Sequence, residues 1–134
     1  MKILLDTSSW LWSLTDPERL NKRARDILSN RSHTLYLSAA SSWEIVIKAA
    51  LGKLPLPEPP EKYIPSRMAA MDVLGLAVEH AHALRVSALP AHHRDPFDRI
   101  LVAQAQVESL TILTVDRVFR AYDVKVIWAG RSQR

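Results

Sequence analysis

Cysteine is absent from the 134 residues. That excludes a disulfide scaffold, a cysteine-ligated zinc site and an iron–sulfur centre, and it fits a reducing cytoplasm. Long apolar runs are missing as well. The opening Ile3-Leu4-Leu5 meets Asp6, which is too short for a signal-peptide core or a membrane span. The expectation is a cytoplasmic protein with no membrane partner. No internal repeat and no low-complexity segment interrupts the chain. What is present suits a folded domain: 48% hydrophobic and 24% charged residues, enough to build a core and too apolar for disorder. The length fits one domain over residues 1–134. Eighteen Lys and Arg against 14 Asp and Glu give a net charge of +4, which permits a polyanionic partner without arguing strongly for one.

Strand and helix patterns alternate along the chain. Ile3-Leu4-Leu5 reads as a buried strand. Thr7-Ser8-Ser9 offers capping hydroxyls to a helix carrying Trp10, Leu11, Trp12 and Leu14. Asp16-Pro17-Glu18 is a second helix start, and the apolar spacing of Leu20, Ala24, Ile27 and Leu28 predicts one continuous helix from there. Leu35-Tyr36-Leu37 is a strand. Ser41-Ser42-Trp43-Glu44 has the form of a capping box, with a helix running on to about Leu51 and Gly52 closing it. Prolines at 55, 57, 59, 60 and 65 predict a surface loop, followed by a short helix over 67–71. A strand over 73–78 and a helix over 79–89, ended by Pro90, come next. Asp95-Pro96-Phe97-Asp98 opens a long apolar helix. A β-branched strand at 111–115, a short helix at 118–122 and a strand at 124–127 complete the pattern. Short strands separated by helices predict an α/β fold with a parallel sheet flanked by helices.

Acidic residues stand where the predicted strands end. Asp6 follows the first strand and Asp116 follows the strand at 111–115, so a parallel sheet puts both on one rim, where sites form. Glu44 and Asp98 sit near helix starts. Four carboxylates in a small site need a counter-charge, because neighbouring like charges raise one another's pKa. A hard divalent cation, Mg²⁺ or Mn²⁺, accepts such oxygen ligands and leaves room for a phosphate oxygen. Metal-assisted phosphodiester hydrolysis is the chemistry this suits. Each acid also has a purely structural reading. Asp6, Asp95 and Asp116 can cap the helices that follow them, Asp98 can complement a helix dipole, and Glu44 can pair with Lys48 four residues on.

Five segments, in this order and spacing, carry a family resemblance. They are Leu4-Leu5-Asp6-Thr7-Ser8; Ser41-Ser42-Trp43-Glu44-Ile45 with Lys48; Leu51-Gly52-Lys53-Leu54; the run from Asp95-Pro96-Phe97-Asp98-Arg99 to Ala105; and Ile112-Leu113-Thr114-Val115-Asp116 with Phe119. Together they resemble the PIN-domain nucleases, specifically the VapC-type toxins of bacterial toxin–antitoxin pairs, over nearly the whole chain. The resemblance implies an α/β/α sandwich with a central parallel sheet of four or five strands and a Mg²⁺- or Mn²⁺-dependent endoribonuclease. It implies that Asp6, Glu44, Asp98 and Asp116 form an acidic quartet around the metal. Asp95 either joins that quartet or only caps its helix. Thr7 and Thr114 would support the carboxylates or a water, and Lys48 would contact a phosphate or simply pair with Glu44. A cognate VapB-like antitoxin blocking the acidic groove, a toxin homodimer and a 5′-phosphate product are implied too.

Other residues carry weaker readings. His80 and His82 are two apart and fall on different helix faces, so they do not make a metal site. His92, His93 and Arg94 form a basic loop before the acidic helix start which, with Arg99, is a candidate for steering RNA. Trp10, Trp12, Trp43 and Trp128 suit base stacking or, more simply, core packing. Trp10 and Trp12, two apart, are expected to face different surroundings. A phospho-receiver module is the rival from another class, but Asp6 lacks its acidic neighbour and the strand at 73–78 is followed by Glu79 rather than an acceptor Asp. A haloacid-type phosphatase would need a second acid at Ser8. A catalytically silent RNA-binding domain of the same fold is the remaining rival. If the quartet is sequestered in one site, 18 basic residues face 10 remaining acids, and an acidic pocket sits on a clearly basic body.

Overall fold

The computed structural model describes residues 1–91 and 94–131. Its sheet has five strands, β1 (Lys2–Leu5), β2 (Thr34–Ser38), β3 (Val73–Leu76), β4 (Thr111–Thr114) and β5 (Val126–Trp128), in the order β3-β2-β1-β4-β5. Every neighbouring pair is parallel. The connecting helices are α1 (Thr7–Thr15), α2 (Lys22–Ser29), α3 (Ala39–Ala50), α4 (Pro60–Met71), α5 (His80–Arg85) and α6 (Pro96–Glu108). Short 3₁₀ turns span Pro17–Arg19, Val86–Ala88 and Arg117–Ala121.

The side-chain period of two sorts each strand between two cores. Ile3 and Leu5 of β1, Leu113 of β4 and Ile127 of β5 pack with Trp10 of α1, Ala24 and Ile27 of α2, Ile45 of α3 and Ile64 of α4. Leu4 and Ile112 face the other way and pack with Leu101, Val102 and Ala105 of α6 and with Phe119. Helices cover both faces, so the expected α/β/α sandwich is what the chain forms. Among the described residues no helix is long and apolar enough to cross a membrane.

Strand order reverses direction once. The chain moves outward from β1 through β2 to β3, then crosses to β4 on the other side of β1. The crevice at the carboxyl ends of β1 and β4 is therefore the switch point where such sheets bind ligands, and Asp6 and Asp116 are the residues that emerge there.

Several local expectations change. The helix predicted from Asp16 onward is broken. Leu20 is buried, and Asn21 takes an extended conformation as the N-cap of α2. Its backbone N–H donates to the Ala129 carbonyl at 2.8 Å, and its side-chain amide donates to the carbonyls of Trp128 and Gly130 at 2.9 and 3.0 Å. Those bonds seal the β5 edge and are impossible for a residue inside a helix. The capping box at Ser41 is also displaced. Strand β2 runs into α3 directly, so Ser38 is the N-cap, accepting from the Ala40 N–H at 3.0 Å. Helix α4 begins at Pro60 and tolerates Pro65 within it. Gly52 closes the end of α3 at φ +72°, as expected for a residue just past a helix. Trp10 is fully buried, and Trp12 packs against the same core from its margin, with the Arg19 guanidinium 3.6 Å over its ring. The two indoles thus share one surrounding, contrary to the spacing argument, because the margin of that core reaches round the helix.

Candidate active site

Asp6 is the residue after β1. Its Oδ1 caps α1 by accepting the Ser9 N–H at 2.8 Å, and its Oδ2 accepts the Thr114 hydroxyl at 2.6 Å. Thr114 Oγ1 in turn accepts the Asp116 N–H at 2.9 Å, so one hydroxyl ties the acids at the ends of β1 and β4. Asp6 is only 4% exposed. Burial raises its carboxyl above the ordinary value of 3.8, opposed by the hydrogen bonds from Ser9 and Thr114 and assisted by the nearby charge of Asp116. Asp116 is exposed and caps the turn that follows it, accepting the Val118 N–H at 3.0 Å.

The remaining acids come from helices. Glu44 lies in the second turn of α3, 6% exposed, and its Oε2 accepts from the Lys48 ammonium at 2.7 Å. Lys48 is held above the usual lysine range, chiefly by that bond and against partial desolvation, with further attraction from Glu44, Asp95 and Asp98. One ammonium is therefore paired with Glu44 and attracted by two further carboxylates. Asp95 is the N-cap of α6: its Oδ1 accepts the N–H groups of Phe97 and Asp98 at 2.9 and 3.4 Å. Asp98 lies in the first turn of α6. Thr7 donates to Ser41 Oγ at 2.9 Å, joining α1 to α3 one turn before Glu44. That bridge was not foreseen, and only the crossing of the two helices creates it.

Among the described residues no three His, Asp or Glu side chains converge as a ready metal cluster. The acids form a strand-borne group tied by Thr114 and a helix-borne group compensated by Lys48. Their donor set is carboxylate oxygen, which fits a hard divalent cation. The buried Asp6 has no cationic partner of its own among the described residues.

Of the basic candidates, His92 and His93 lie outside the described residues. Arg94 is exposed. Arg99 donates to the carbonyls of Pro90 and Val86 at 2.9 and 3.3 Å, which ties α6 to those two residues. His82 is 1% exposed. Its Nδ1 accepts the Glu79 N–H at 3.0 Å and its Nε2 lies 2.8 Å from Glu108, so it joins α5 to α6 well apart from the acids in sequence. Beside the acidic rim lies an apolar cavity of about 460 Å³ lined by Ala39, Ala40, Trp43, Val78, Pro96, Phe97 and Ile100. Trp43 is 62% exposed and meets Phe97 edge-to-face at 5.4 Å between centroids.

Comparison with known proteins bears on this arrangement. A segment of 58 residues, 43% of this chain, is 48% identical to Ribonuclease VapC16 of Mycobacterium tuberculosis. The match spans 41% of that relative's length. The fold resembles VapBC2 of Rickettsia felis bound to a promoter DNA fragment, with a TM-score of 0.74 at 12% identity, over 97% of this chain and 100% of that one. It also resembles DNA-bound VapBC of Salmonella typhimurium, with a TM-score of 0.70 at 17% identity, over 95% and 97% of the two chains. The family model that matches is the PIN domain, over residues 3–125, which takes in all but the first residue of β1, the chain on through β4 and every acid of the rim. The chain belongs to the PIN domain family.

Proposed function

We propose that this chain is a divalent-cation-dependent endoribonuclease of the toxin kind, held in check by a cognate VapB-like antitoxin. The observation that carries the reading is the meeting of Asp6 and Asp116 at the switch point of the sheet, with Glu44 paired to Lys48 on α3 and the charges of Asp95 and Asp98 at the start of α6 acting on the same ammonium. The segment identity to a ribonuclease supports the activity, and the likeness to toxin–antitoxin complexes supports the fold on which it would run.

Asp6, Glu44, Asp98 and Asp116 would hold Mg²⁺ or Mn²⁺. When bound, the cation supplies counter-charge for the acids, polarises a phosphoryl oxygen and lowers the pKa of water. The chain's own part is positional. Ser9 and Thr114 fix both oxygens of Asp6, so its carboxylate needs no reorganisation. Asp95 spends Oδ1 on the α6 N-terminus, which favours its role as a cap that aims Asp98. The Lys48 ammonium, half exposed and paired with Glu44, is suited to meet a phosphate oxygen when RNA enters. The apolar cavity at Trp43 and Phe97 suits an antitoxin segment that covers the rim. A homodimer and a cytoplasmic location complete the reading.

Cleavage of an end-labelled RNA in Mg²⁺ or Mn²⁺, quenched by EDTA and abolished in Asp98→Asn, is the expected result. Undiminished cleavage in EDTA or by the variant refutes the proposed chemistry, and RNA binding without cleavage favours a silent domain of the same fold.

A further inference from the structure

Across β4 from the strand-borne acids lies a second feature. Trp128, the last residue of β5, is the register partner of Thr114, the residue that holds Asp6. Paired residues on neighbouring strands point to the same face of a sheet about 5 Å apart. Thr114 and Trp128 therefore stand side by side on the rim. Over the Trp128 ring lie two guanidiniums, Arg120 at 5.0 Å and Arg117 at 5.7 Å from its centroid. Both belong to the 3₁₀ turn capped by Asp116. Both are exposed, and among the described residues neither has a carboxylate partner.

The seat beneath them is built rather than accidental. Asn21 bonds the carbonyls of Trp128, Ala129 and Gly130, and the Ala129 N–H donates to the Thr114 carbonyl at 2.8 Å. The indole lies against Gly130 so closely that a Cβ there would come within 2.9 Å of Cζ2. The ring is thus fixed relative to Thr114 and the acid it holds. A guanidinium within about 6 Å of an indole centroid is attracted to it, so both long side chains lose part of their freedom before any ligand arrives.

We infer that Arg117 and Arg120, seated on Trp128, form a phosphate-binding step that takes the RNA backbone as it leaves the acidic rim. Two guanidiniums on one indole, without a carboxylate partner among the described residues, have the donor geometry for phosphate oxygens. Their position beside Asp116 puts positive charge next to the acids, where a polyanion otherwise meets repulsion. RNA as the polyanion rests on the nuclease reading above; the phosphate-binding geometry does not.

Fluorescence anisotropy with a labelled single-stranded RNA oligonucleotide, on the full chain carrying Asp98→Asn in EDTA, tests the step. Adding Arg117→Gln and Arg120→Gln should weaken binding about tenfold and make the slope of log affinity against log salt shallower by about 1.4, at ~0.7 per phosphate contact. Arg117→Lys with Arg120→Lys keeps the charge and should restore the slope. In the cleaving protein the Gln pair should lower kcat/KM about tenfold, with the change carried by KM. An unchanged affinity and slope overturns the inference, as does a loss confined to kcat. If the Gln pair lowers affinity and slope as expected but the wild type cleaves no RNA, the nuclease reading fails and the step stands. Cleavage with an unchanged slope in the Gln pair has the opposite meaning.

Discussion

Asp6 and Glu44 are both buried carboxylates on one rim, yet they are held in different ways. Asp6 sits at the end of a central strand, with each oxygen fixed by a neutral donor, the Ser9 N–H or the Thr114 hydroxyl. Nothing cationic faces it among the described residues, and burial raises its pKa. Glu44 sits on a helix, and a lysine one turn away neutralises it. The strand-borne group is rigid and strains against its own charge. The helix-borne group is already compensated, by a side chain that can swing away. On the proposed reading, an acidic site is held ready for a cation partly by geometry and partly by an exchangeable counter-charge.

Removing either half should be most visible in activity. Asp6→Asn and Asp98→Asn are each expected to lower RNA cleavage by roughly a thousandfold or more, as for loss of a principal electrostatic group, with unchanged far-ultraviolet circular dichroism. Substantial cleavage by either variant removes that acid from the site. Thr114→Val tests the tie between the two strand-borne acids. It should cost about 10- to 100-fold in cleavage, in the range of residues that orient a metal ligand, and about 1–3 kcal/mol of stability because Asp6 loses a buried partner. Wild-type cleavage in that variant would mean the tie is only structural.

Stability should separate the halves in the opposite sense. The folded pKa of Asp6 lies above its unfolded value, so the unfolded chain gives up the proton first. Well below pH 3.8 both states are protonated and the group is neutral in effect; as pH rises through that value, stability falls until the folded carboxyl ionises too. The melting-temperature difference between Asp6→Asn and the wild type should therefore move in the variant's favour as pH rises from 3 to 7, from an offset set by an amide that offers one acceptor oxygen where the carboxylate offers two. A variant that melts lower at pH 7 and equally at pH 3 contradicts the raised pKa. Lys48→Gln should cost about 1–3 kcal/mol, because the buried Glu44 carboxylate loses its charged partner although the ammonium itself is half exposed. An unchanged stability would show that Glu44 does not depend on that partner.

Much of this was legible in the order of residues. A strand-period run ending in an acid, twice over, placed Asp6 and Asp116 on one rim once the sheet was taken as parallel. Asp95 before Pro96 read correctly as a helix cap. The helix boundaries near Leu20 and Ser41 did not read correctly, because their causes lie far away in the chain. Asn21 answers to carbonyls more than a hundred residues on, and Ser41 is spoken for by Thr7. The step at Trp128 had a faint signal, two arginines spaced by three just after a strand-end acid, but the indole that gathers them arrives from another strand.

By itself, then, the sequence determined the local things: the alternation of periods two and 3.6, the caps, the proline and glycine boundaries, and the acid at each strand end. Those depend on neighbours within a turn or two, and side-chain chemistry with backbone stereochemistry settles them. Only the tertiary structure decided which acids share a hydroxyl, which attract one ammonium, and which arginines lie on an indole one strand across from the site. Such contacts depend on strand order and register, and parallel pairing joins segments that are distant in the chain, so no local pattern contains them.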